Sequence, residues 1–294
     1  MSKNKSGAGG LLLRLVLSVL LVFTLLGTVG GVLGSYVTAS SSLLVSQLEK
    51  QNAPQKAHDS LQSKFDMEYN TTAVPAEVYM DVVTVAWMED AMKQWITGNY
   101  SQANGNKTDP SIDFTALEES ITAYFEQYAA ENNCEKDDIY TEKLSETIAD
   151  AKAAVQDAVD VYHIQTMKDA GIWDKVFDHR NLLTLLAVVC GVLSLVLAGL
   201  LVCLKDRPCY WIGTSLFADG VLLTVPAAWV LGSSVISRFA LKEPAVYAVF
   251  TGTMTTLVQA VLIVGIVLLA AGLVLLVGSV LRRNTVSKNN ISQI

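Results

Sequence analysis

The sequence predicts an all-α integral membrane protein with four membrane-spanning helices and a large extracytoplasmic helical bundle between the first two. Of its 294 residues, 51% are hydrophobic and only 17% are charged, which is too apolar for an ordinary soluble domain. Four apolar runs reach the roughly 20 residues that a helix needs to cross the hydrocarbon layer. In the long polar segment, apolar residues recur at intervals of three and four, which is the helical period.

The four apolar runs set the domain organisation. The predicted spans are residues 11–33, 182–204, 211–236 and 257–280. Residues 35–181 form one polar segment, which is long enough to bury a core of its own. Residues 1–10 and 281–294 are the termini, 205–210 connect spans two and three, and 237–256 hold a loop and the start of the last helix.

The first span is predicted to be an uncleaved anchor. A cleaved signal peptide is the alternative, because the chain starts with basic residues and Val37-Thr38-Ala39 offers a small-residue cleavage pattern. The apolar run 11–33 is longer than the roughly 7 to 15 residues of a signal peptide's hydrophobic region, which favours the anchor.

The positions of lysine and arginine predict the orientation. Basic residues in short flanking segments are retained on the cytoplasmic side. They are Lys3, Lys5, Arg14, Lys205, Arg207, Arg282, Arg283 and Lys288. We therefore expect a multi-pass protein of the plasma membrane with both termini cytoplasmic and residues 35–181 extracytoplasmic, although Arg238 and Lys242 lie in the short outer loop.

The polar segment is acidic. Residues 35–181 contain 25 Asp and Glu against 11 Lys and Arg, a net charge of −14, whereas the whole chain carries −7. This charge disfavours nucleic acid and anionic lipid as partners. Besides the lipid bilayer, we expect a protein partner that contacts the acidic segment.

Pro75, Gly98 and Pro54 predict where helices of the polar segment begin and end. One helix is expected to open at Pro75 and to stop at Gly98, and two weaker helices upstream are expected to break at Pro54.

Two further helices are predicted downstream. The first begins near Phe114, where Thr115 and Glu118 have capping-box spacing, and the second runs from Tyr140 towards Gly171. The segment is therefore predicted to be an antiparallel helical bundle.

Cysteine usage favours a bacterial plasma-membrane protein. Cys134 is the only cysteine of the polar segment, so no disulfide can form within it. The paired-cysteine motif of claudins and the CCG motif of tetraspanins, two other four-span classes, are both missing. Three glycosylation sequons begin at Asn70, Asn99 and Asn106, about two more than chance would give.

No sequence pattern supports an enzyme, a metal site or a cofactor. The chain has no GxSxG, HExxH, Walker A or dinucleotide fingerprint. Asp160 and His163 have a spacing that could hold a metal, but no third ligand is spaced to join them. We therefore predict no catalytic residue, no metal and no cofactor.

Aromatic residues are interpreted as packing elements. Trp87 and Trp95, together with Tyr79 and Tyr100, could form a binding platform, but core packing is favoured. Two aromatic pairs, Trp173 with Phe177 and Tyr210 with Trp211, are interpreted as anchors at the membrane interface.

Asp219 is the most unusual residue of the predicted spans. A charged aspartate facing lipid would cost roughly 2.5 to 3.5 kcal/mol, so we expect it to face the other helices. Depth matching places Ser18 at its level and Arg14 one turn closer to the cytoplasm, so a bond from either residue is expected. The alternative is a protonated aspartate that bonds elsewhere within the bundle. Pro226 is expected to kink the same span.

The first span ends in two overlapping GxxxG pairs. They are Gly27 with Gly31 and Gly30 with Gly34. Glycines at this spacing permit close approach of a second helix. We expect that helix to be span two, or span one of a second copy in a homodimer.

Three hypotheses about function follow. The favoured one is a non-enzymatic accessory or interaction protein that displays the polar segment. The alternative is a small transporter or channel subunit that uses Asp219. The layout also resembles that of mechanotransmission permeases, but the connection 205–210 is too short for their cytoplasmic coupling segment, and no strand is predicted.

Overall fold

The computed structural model describes residues 8–106, 110–204 and 207–291, with side chains described only for 9–106, 110–204 and 207–281. Over these ranges the chain forms helices, turns and loops and no strand. The twelve α-helices are α1 (Ala8–Ala39), α2 (Ser42–Lys50), α3 (Ala53–Thr72), α4 (Ala76–Met80), α5 (Val85–Ala103), α6 (Thr115–Asn132), α7 (Asp138–Val159), α8 (Ile164–Asp169), α9 (Ile172–Asp178), α10 (Arg180–Cys203), α11 (Pro208–Gly232) and α12 (Pro244–Ile291).

Four helices are long and apolar enough to cross a membrane, namely α1, α10, α11 and α12. The prediction of an all-helical chain is thereby confirmed over the described residues, and the four long apolar helices fit a multi-pass membrane protein. α11 ends at Gly232, four residues before the predicted end of span three, and is followed by a short 3-10 helix, Ile236–Arg238. α12 begins at Pro244, within the stretch 237–256 that was expected to hold a loop and the start of the last helix.

The helices divide into two compact units. The apolar unit consists of Met1–Ala39, His179–Arg238 and Met254–Ile294, and the polar unit consists of Ser40–Asp178 and Phe239–Thr253. In the apolar unit α1 packs mainly on α10 and also on α11. In the polar unit α3, α5 and α7 pack on one another, and α2, α4 and α6 pack around them.

The polar unit has a continuous apolar core. Its fully buried side chains include Leu48, Val74, Val83, Met88, Met92, Ile96, Ile121, Val155, Val159 and Ile164. Complete burial of one such side chain stabilises the fold by about 1.5–3 kcal/mol. The predicted interpretation of the aromatic residues as core is confirmed for Tyr79, Trp95 and Tyr100, which are all buried.

The predicted helix from Pro75 to Gly98 is two helices in the structure. The chain breaks after α4, and Thr84 caps α5 because its hydroxyl accepts a hydrogen bond from the amide of Trp87 at 3.2 Å. Gly98 does not end α5. A Cβ at Gly98 would lie 2.8 Å from Cβ of Pro110, so the glycine makes room for the incoming chain.

Two other local predictions are corrected by hydrogen bonds. The capping box of Thr115 and Glu118 does not form, because Asp113 accepts from the amide and the hydroxyl of Thr115 at 3.0 and 2.7 Å. Glu118 instead forms an ion pair with Lys152 of α7. The break at Pro54 is confirmed, since this residue lies in the first turn of α3.

The helix predicted to run from Tyr140 towards Gly171 ends at Val159. Asp160 is buried, and its carboxylate accepts from the amides of Ile164 and Gln165 at 2.8 Å each, so it caps α8. This capping role accounts for Asp160, whose spacing from His163 could also have held a metal. A third helix, α9, follows Gly171.

The expectation that Trp173 and Phe177 anchor the membrane interface was wrong. Both side chains are buried in the core of the polar unit. Their rings lie 5.5 and 5.2 Å from the ring of Tyr100, in edge-to-face geometry. Such aromatic pairs contribute about 0.5–1.5 kcal/mol each beyond their buried area, so α9 is fixed to α5.

Candidate functional site: an aspartate within the apolar unit

Asp219 lies in the middle of α11. The helix runs for 25 residues from Pro208 to Gly232, with a proline in its first turn and an apolar sequence on both sides of the aspartate. The side chain of Asp219 has no exposed surface. The expectation that this residue faces other helices rather than lipid therefore agrees with its burial.

Among the residues whose side chains are described, neither carboxylate oxygen of Asp219 has a hydrogen-bond partner. Within this part of the chain the expected bond from Arg14 or Ser18 is absent, and so is the alternative bond within the bundle. Ser18 is used elsewhere, because its hydroxyl lies 2.7 Å from the hydroxyl of Ser215 on α11. Ser215 also donates to the carbonyl oxygen of Ser18 at 2.9 Å.

The pair of Ser18 and Ser215 still explains which side of α11 the aspartate occupies. Ser215 is one helical turn before Asp219, and residues four apart lie on the same face of a helix. Because Ser215 contacts α1, helical geometry places Asp219 on the same side of α11, one turn further along. The depth match between Ser18 and span three was thus nearly right, but it selected the wrong partner.

A second pair of hydroxyls joins α1 to α10. Ser194 bonds to Thr24 at 2.9 Å, and Thr24 bonds to the carbonyl oxygen of Leu21 at 3.0 Å. Hydrogen bonds between membrane helices contribute on average about 0.6 kcal/mol in measured cases. The two hydroxyl pairs therefore connect the helices at modest strength.

The contact between α11 and α12 depends on glycines that the sequence analysis missed. A Cβ at Gly220 would lie 2.4 Å from the backbone nitrogen of Leu269, and one at Gly272 would lie 2.4 Å from that of Phe217. Gly213 and Gly265 make similar approaches. The sequence does contain a signal for this contact. Gly213 and Gly220 are seven residues apart, as are Gly265 and Gly272, and residues at this spacing lie on one face of a helix.

Gly220 directly follows Asp219, so the backbone of α12 closely approaches the residue next to the aspartate. Pro226 lies further along and inside α11, which continues to Gly232. Because proline has no amide hydrogen, the carbonyl of Leu222 lacks its helical donor. Between Gly220 and Pro226, the buried hydroxyl of Thr224 has no hydrogen-bond partner among the described residues. This part of α11 therefore combines an acidic side chain with incompletely satisfied polar groups.

The glycines of α1 contact α10. A Cβ at Gly27 would lie 2.8 Å from Sγ of Cys190, and one at Gly34 would lie 3.2 Å from the side chain of Leu183. One at Gly31 would meet the backbone of Ala187. Of the two expected partners for these glycines, span two is the one observed. Gly30 has nothing within 4 Å and is the one glycine of the two pairs left open.

Two cavities of the polar unit are small. One has a volume of about 180 Å³ and is lined by Lys64, Asp157, Glu243 and mostly apolar side chains, and the other has a volume of about 260 Å³ and is lined by Asp66, Tyr69, Pro75, Ala76 and Glu77. Ligand pockets typically measure about 300–1,000 Å³. Within the described ranges, no group of three or more His, Cys, Asp or Glu side chains could hold a metal ion.

The asparagines of the three glycosylation sequons differ in their exposure. Asn99 has no exposed surface, and its amide donates to the carbonyl oxygen of Trp95 at 2.8 Å. An enzyme could not reach this amide in the folded protein. Asn70 and Asn106 are exposed.

Comparison with family models, with curated proteins and with solved structures finds no match for this chain.

Proposed function

We propose that the protein is a non-enzymatic accessory or interaction protein, held in the membrane by four helices and displaying the polar unit to a protein partner. The observation that supports this proposal is the end of the α6–α7 hairpin, residues 131–142. All but Tyr140 of these residues are exposed. They carry five carboxylates, those of Glu131, Glu135, Asp137, Asp138 and Glu142, against one lysine, Lys136.

Within the described part of the polar unit, the carboxylates of the hairpin end are not neutralised by ion pairs. Lys136 forms an ion pair with Glu126 at 3.1 Å, and Lys143 forms one with Glu146 at 2.6 Å. The five carboxylates take part in no described ion pair. A basic protein surface would complement this end, since opposite charge accelerates encounter and sets orientation.

The proposed location is the plasma membrane, with both termini cytoplasmic and residues 35–181 extracytoplasmic. The support is the distribution of basic residues next to the spans. Of these, Arg14 lies near the start of α1 and Arg207 directly precedes α11. The side chains of Lys3, Lys5, Lys205, Arg282, Arg283 and Lys288 lie outside the described residues.

Cys134 provides a direct test of this function. It is exposed in the turn between α6 and α7, so a cleavable photo-crosslinker can be attached to it on intact cells. We expect a discrete crosslinked protein with a basic surface. The triple change Glu135→Lys, Asp138→Lys and Glu142→Lys should abolish the crosslink, because it reverses the charge that would attract the partner.

The control moves the crosslinker away from the hairpin end. A Cys134→Ser, Ser63→Cys variant places it on the exposed side of α3 and should not yield the same product. Equal crosslinking from both positions, or full crosslinking after charge reversal, would contradict a partner at the acidic hairpin end.

The alternative function is that of a small transporter or channel subunit, and Asp219 is the observation that favours it. Buried acidic residues in membrane helices commonly belong to ion or proton pathways. Reconstituted protein would then move a cation across vesicles, and Asp219→Asn would abolish the flux while the protein remains folded.

A further inference from the structure

We propose that the Asp219 carboxyl is a proton-binding site inside the apolar unit, and that release of its proton requires α11 to move away from its neighbours. The inference is independent of the display function. It shares its location with the transport alternative, but it concerns proton binding alone and holds whether or not a solute crosses the membrane.

Asp219 is a buried carboxyl without partners among the described residues. The side chain has no exposed surface, and both oxygens lack hydrogen bonds. An ionised carboxylate without a counter-charge or donors is strongly disfavoured in an apolar surrounding, whereas a carboxyl that has bound a proton is neutral. The observed geometry therefore suits the protonated group.

The helices that pack around Asp219 carry few charged side chains. Residues 182–202 of α10 and 254–281 of α12 contain no Asp, Glu, Lys, Arg or His, and Asp219 is alone within 209–232 of α11. In α1 the one such residue is Arg14, which does not bond to Asp219. The remaining titratable side chains of these segments are thiols and phenols, namely Tyr36, Cys190, Cys209 and Tyr210.

The ligand of the Asp219 carboxyl is a proton rather than a metal cation. Hard cations take about six or more oxygen ligands. The hydroxyls of Ser18 and of Ser215, which lies one turn before Asp219, bond to each other. A proton needs only one oxygen, and it removes the charge that no side chain compensates.

Binding of the proton to Asp219 is coupled to the packing of α11 on its neighbours. The backbone of α12 passes Gly220 so closely that a Cβ there would lie 2.4 Å from the nitrogen of Leu269. An ionised Asp219 would need water, and water can reach it only after the helices part. Pro226 provides a place for this movement, because the carbonyl of Leu222 has no helical donor.

A hydrophobic carbodiimide tests proton binding in native membranes. The carbodiimide nitrogen takes the carboxyl proton, and the carboxyl oxygen adds to the central carbon, so that an O-acylurea forms and rearranges to a stable N-acylurea without a leaving group. We expect mass spectrometry to find this adduct on Asp219 of the full-length protein. Its yield should fall about tenfold for each pH unit above the titration point.

Two comparisons keep this experiment decisive. A water-soluble carbodiimide should label exposed carboxyls such as Glu135 but not Asp219, whereas Asp219→Glu should retain the label from the hydrophobic reagent. The inference is overturned if Asp219 stays unlabelled, if its labelling does not depend on pH, or if the water-soluble reagent labels it equally well.

Thermal unfolding in mild detergent tests the coupling to packing. The wild type should lose stability as pH rises, because the ionised carboxylate must be hydrated. An Asp219→Asn variant should lack this pH dependence, while an Asp157→Asn variant, which changes an exposed carboxylate, should retain it. Parallel pH profiles of the wild type and Asp219→Asn would overturn the coupling and leave the proposed interaction function untouched.

Discussion

The backbone nitrogen of Ala187 lies 2.7 Å from the position that a Cβ on Gly31 would occupy. This approach brings the backbones of α1 and α10 into contact. Almost any apolar side chain would suit a position that faces lipid, but only glycine leaves room for the extensive α1–α10 interface at position 31. The same contact gives Gly31 an intramolecular role. A homodimer through span one remains a proposal, and of the two glycine pairs only Gly30 is left open for it.

We predict that Gly31→Ile destabilises the apolar unit, because the new side chain would overlap the backbone of α10. Overpacking of this kind typically costs about 1–3 kcal/mol. The measurement is the thermal unfolding transition in mild detergent. Gly30→Ile is the matched control, since Gly30 has nothing within 4 Å, and an equal loss in both variants would contradict the α1–α10 contact.

The contact of α11 with α12 leads to a second prediction. Gly220→Leu should separate these helices and lower the unfolding temperature, because its Cβ would collide with the backbone of Leu269. Gly232→Leu should have little effect, since Gly232 has no neighbour within 4 Å. Cysteine crosslinking between α11 and α12 would report the separation, and an unchanged crosslinking yield in Gly220→Leu would refute it.

Removal of the Asp160 side chain should destabilise the polar unit. Asp160→Ala leaves the amides of Ile164 and Gln165 without their acceptors, and loss of a helix cap costs about 0.5–2 kcal/mol. Asp160→Asn should lie between the wild type and Asp160→Ala, because one oxygen remains. Chemical denaturation followed by circular dichroism measures the effect. If Asp157→Ala, at an exposed position, costs as much, the cap is not the cause.

The buried tyrosines of the polar unit predict alkaline unfolding. Burial raises the pKa of Tyr79, Tyr100 and Tyr162 to about 12 each, from an ordinary value of 10.0. Their contribution to stability is complete below about pH 10, where the phenols of the unfolded chain stay protonated, and is lost as pH rises towards about 12. Thermal unfolding across this range, with tyrosinate absorbance as the second signal, should show the loss.

Tyr79→Phe isolates one of these phenols. Phenylalanine retains the stacking on Phe65, whose ring lies 4.2 Å away, so the variant should fold and should lose less stability between about pH 10 and 12. Tyr128→Phe is the control, because Tyr128 is half exposed. A steeper loss in Tyr79→Phe than in the wild type would contradict the assignment.

The topology prediction uses single cysteines in a background that lacks the four native ones. Asn104→Cys, at an exposed position, should react with an impermeant thiol reagent on intact cells. Ser287→Cys, in the C-terminal part of α12, should react only after permeabilisation. Equal labelling of both in intact cells would refute the proposed orientation.

The sequence determined the class of the protein and the number of long apolar helices. Twenty apolar residues in a row have few structures available in a membrane except a helix, so composition and length alone identify the spans. Helical period and Pro54 likewise located most elements of the polar unit. The predicted ends were less accurate, because Thr84, Asp113 and Asp160 stop or start helices through hydrogen bonds that periodicity does not reveal.

Only the tertiary structure decided which residues meet. Depth counting placed Ser18 at the level of Asp219, whereas the hydroxyl of Ser18 lies 2.7 Å from that of Ser215, one turn earlier on the same face of α11. GxxxG spacing indicated a close helix contact at Gly31 without saying that α10 provides it. Trp173 and Phe177 precede a span in the sequence, yet they pack on Tyr100. In each case local pattern fixes a face and a depth, whereas the partner depends on how distant segments pack, and that information is not contained in any short stretch of chain.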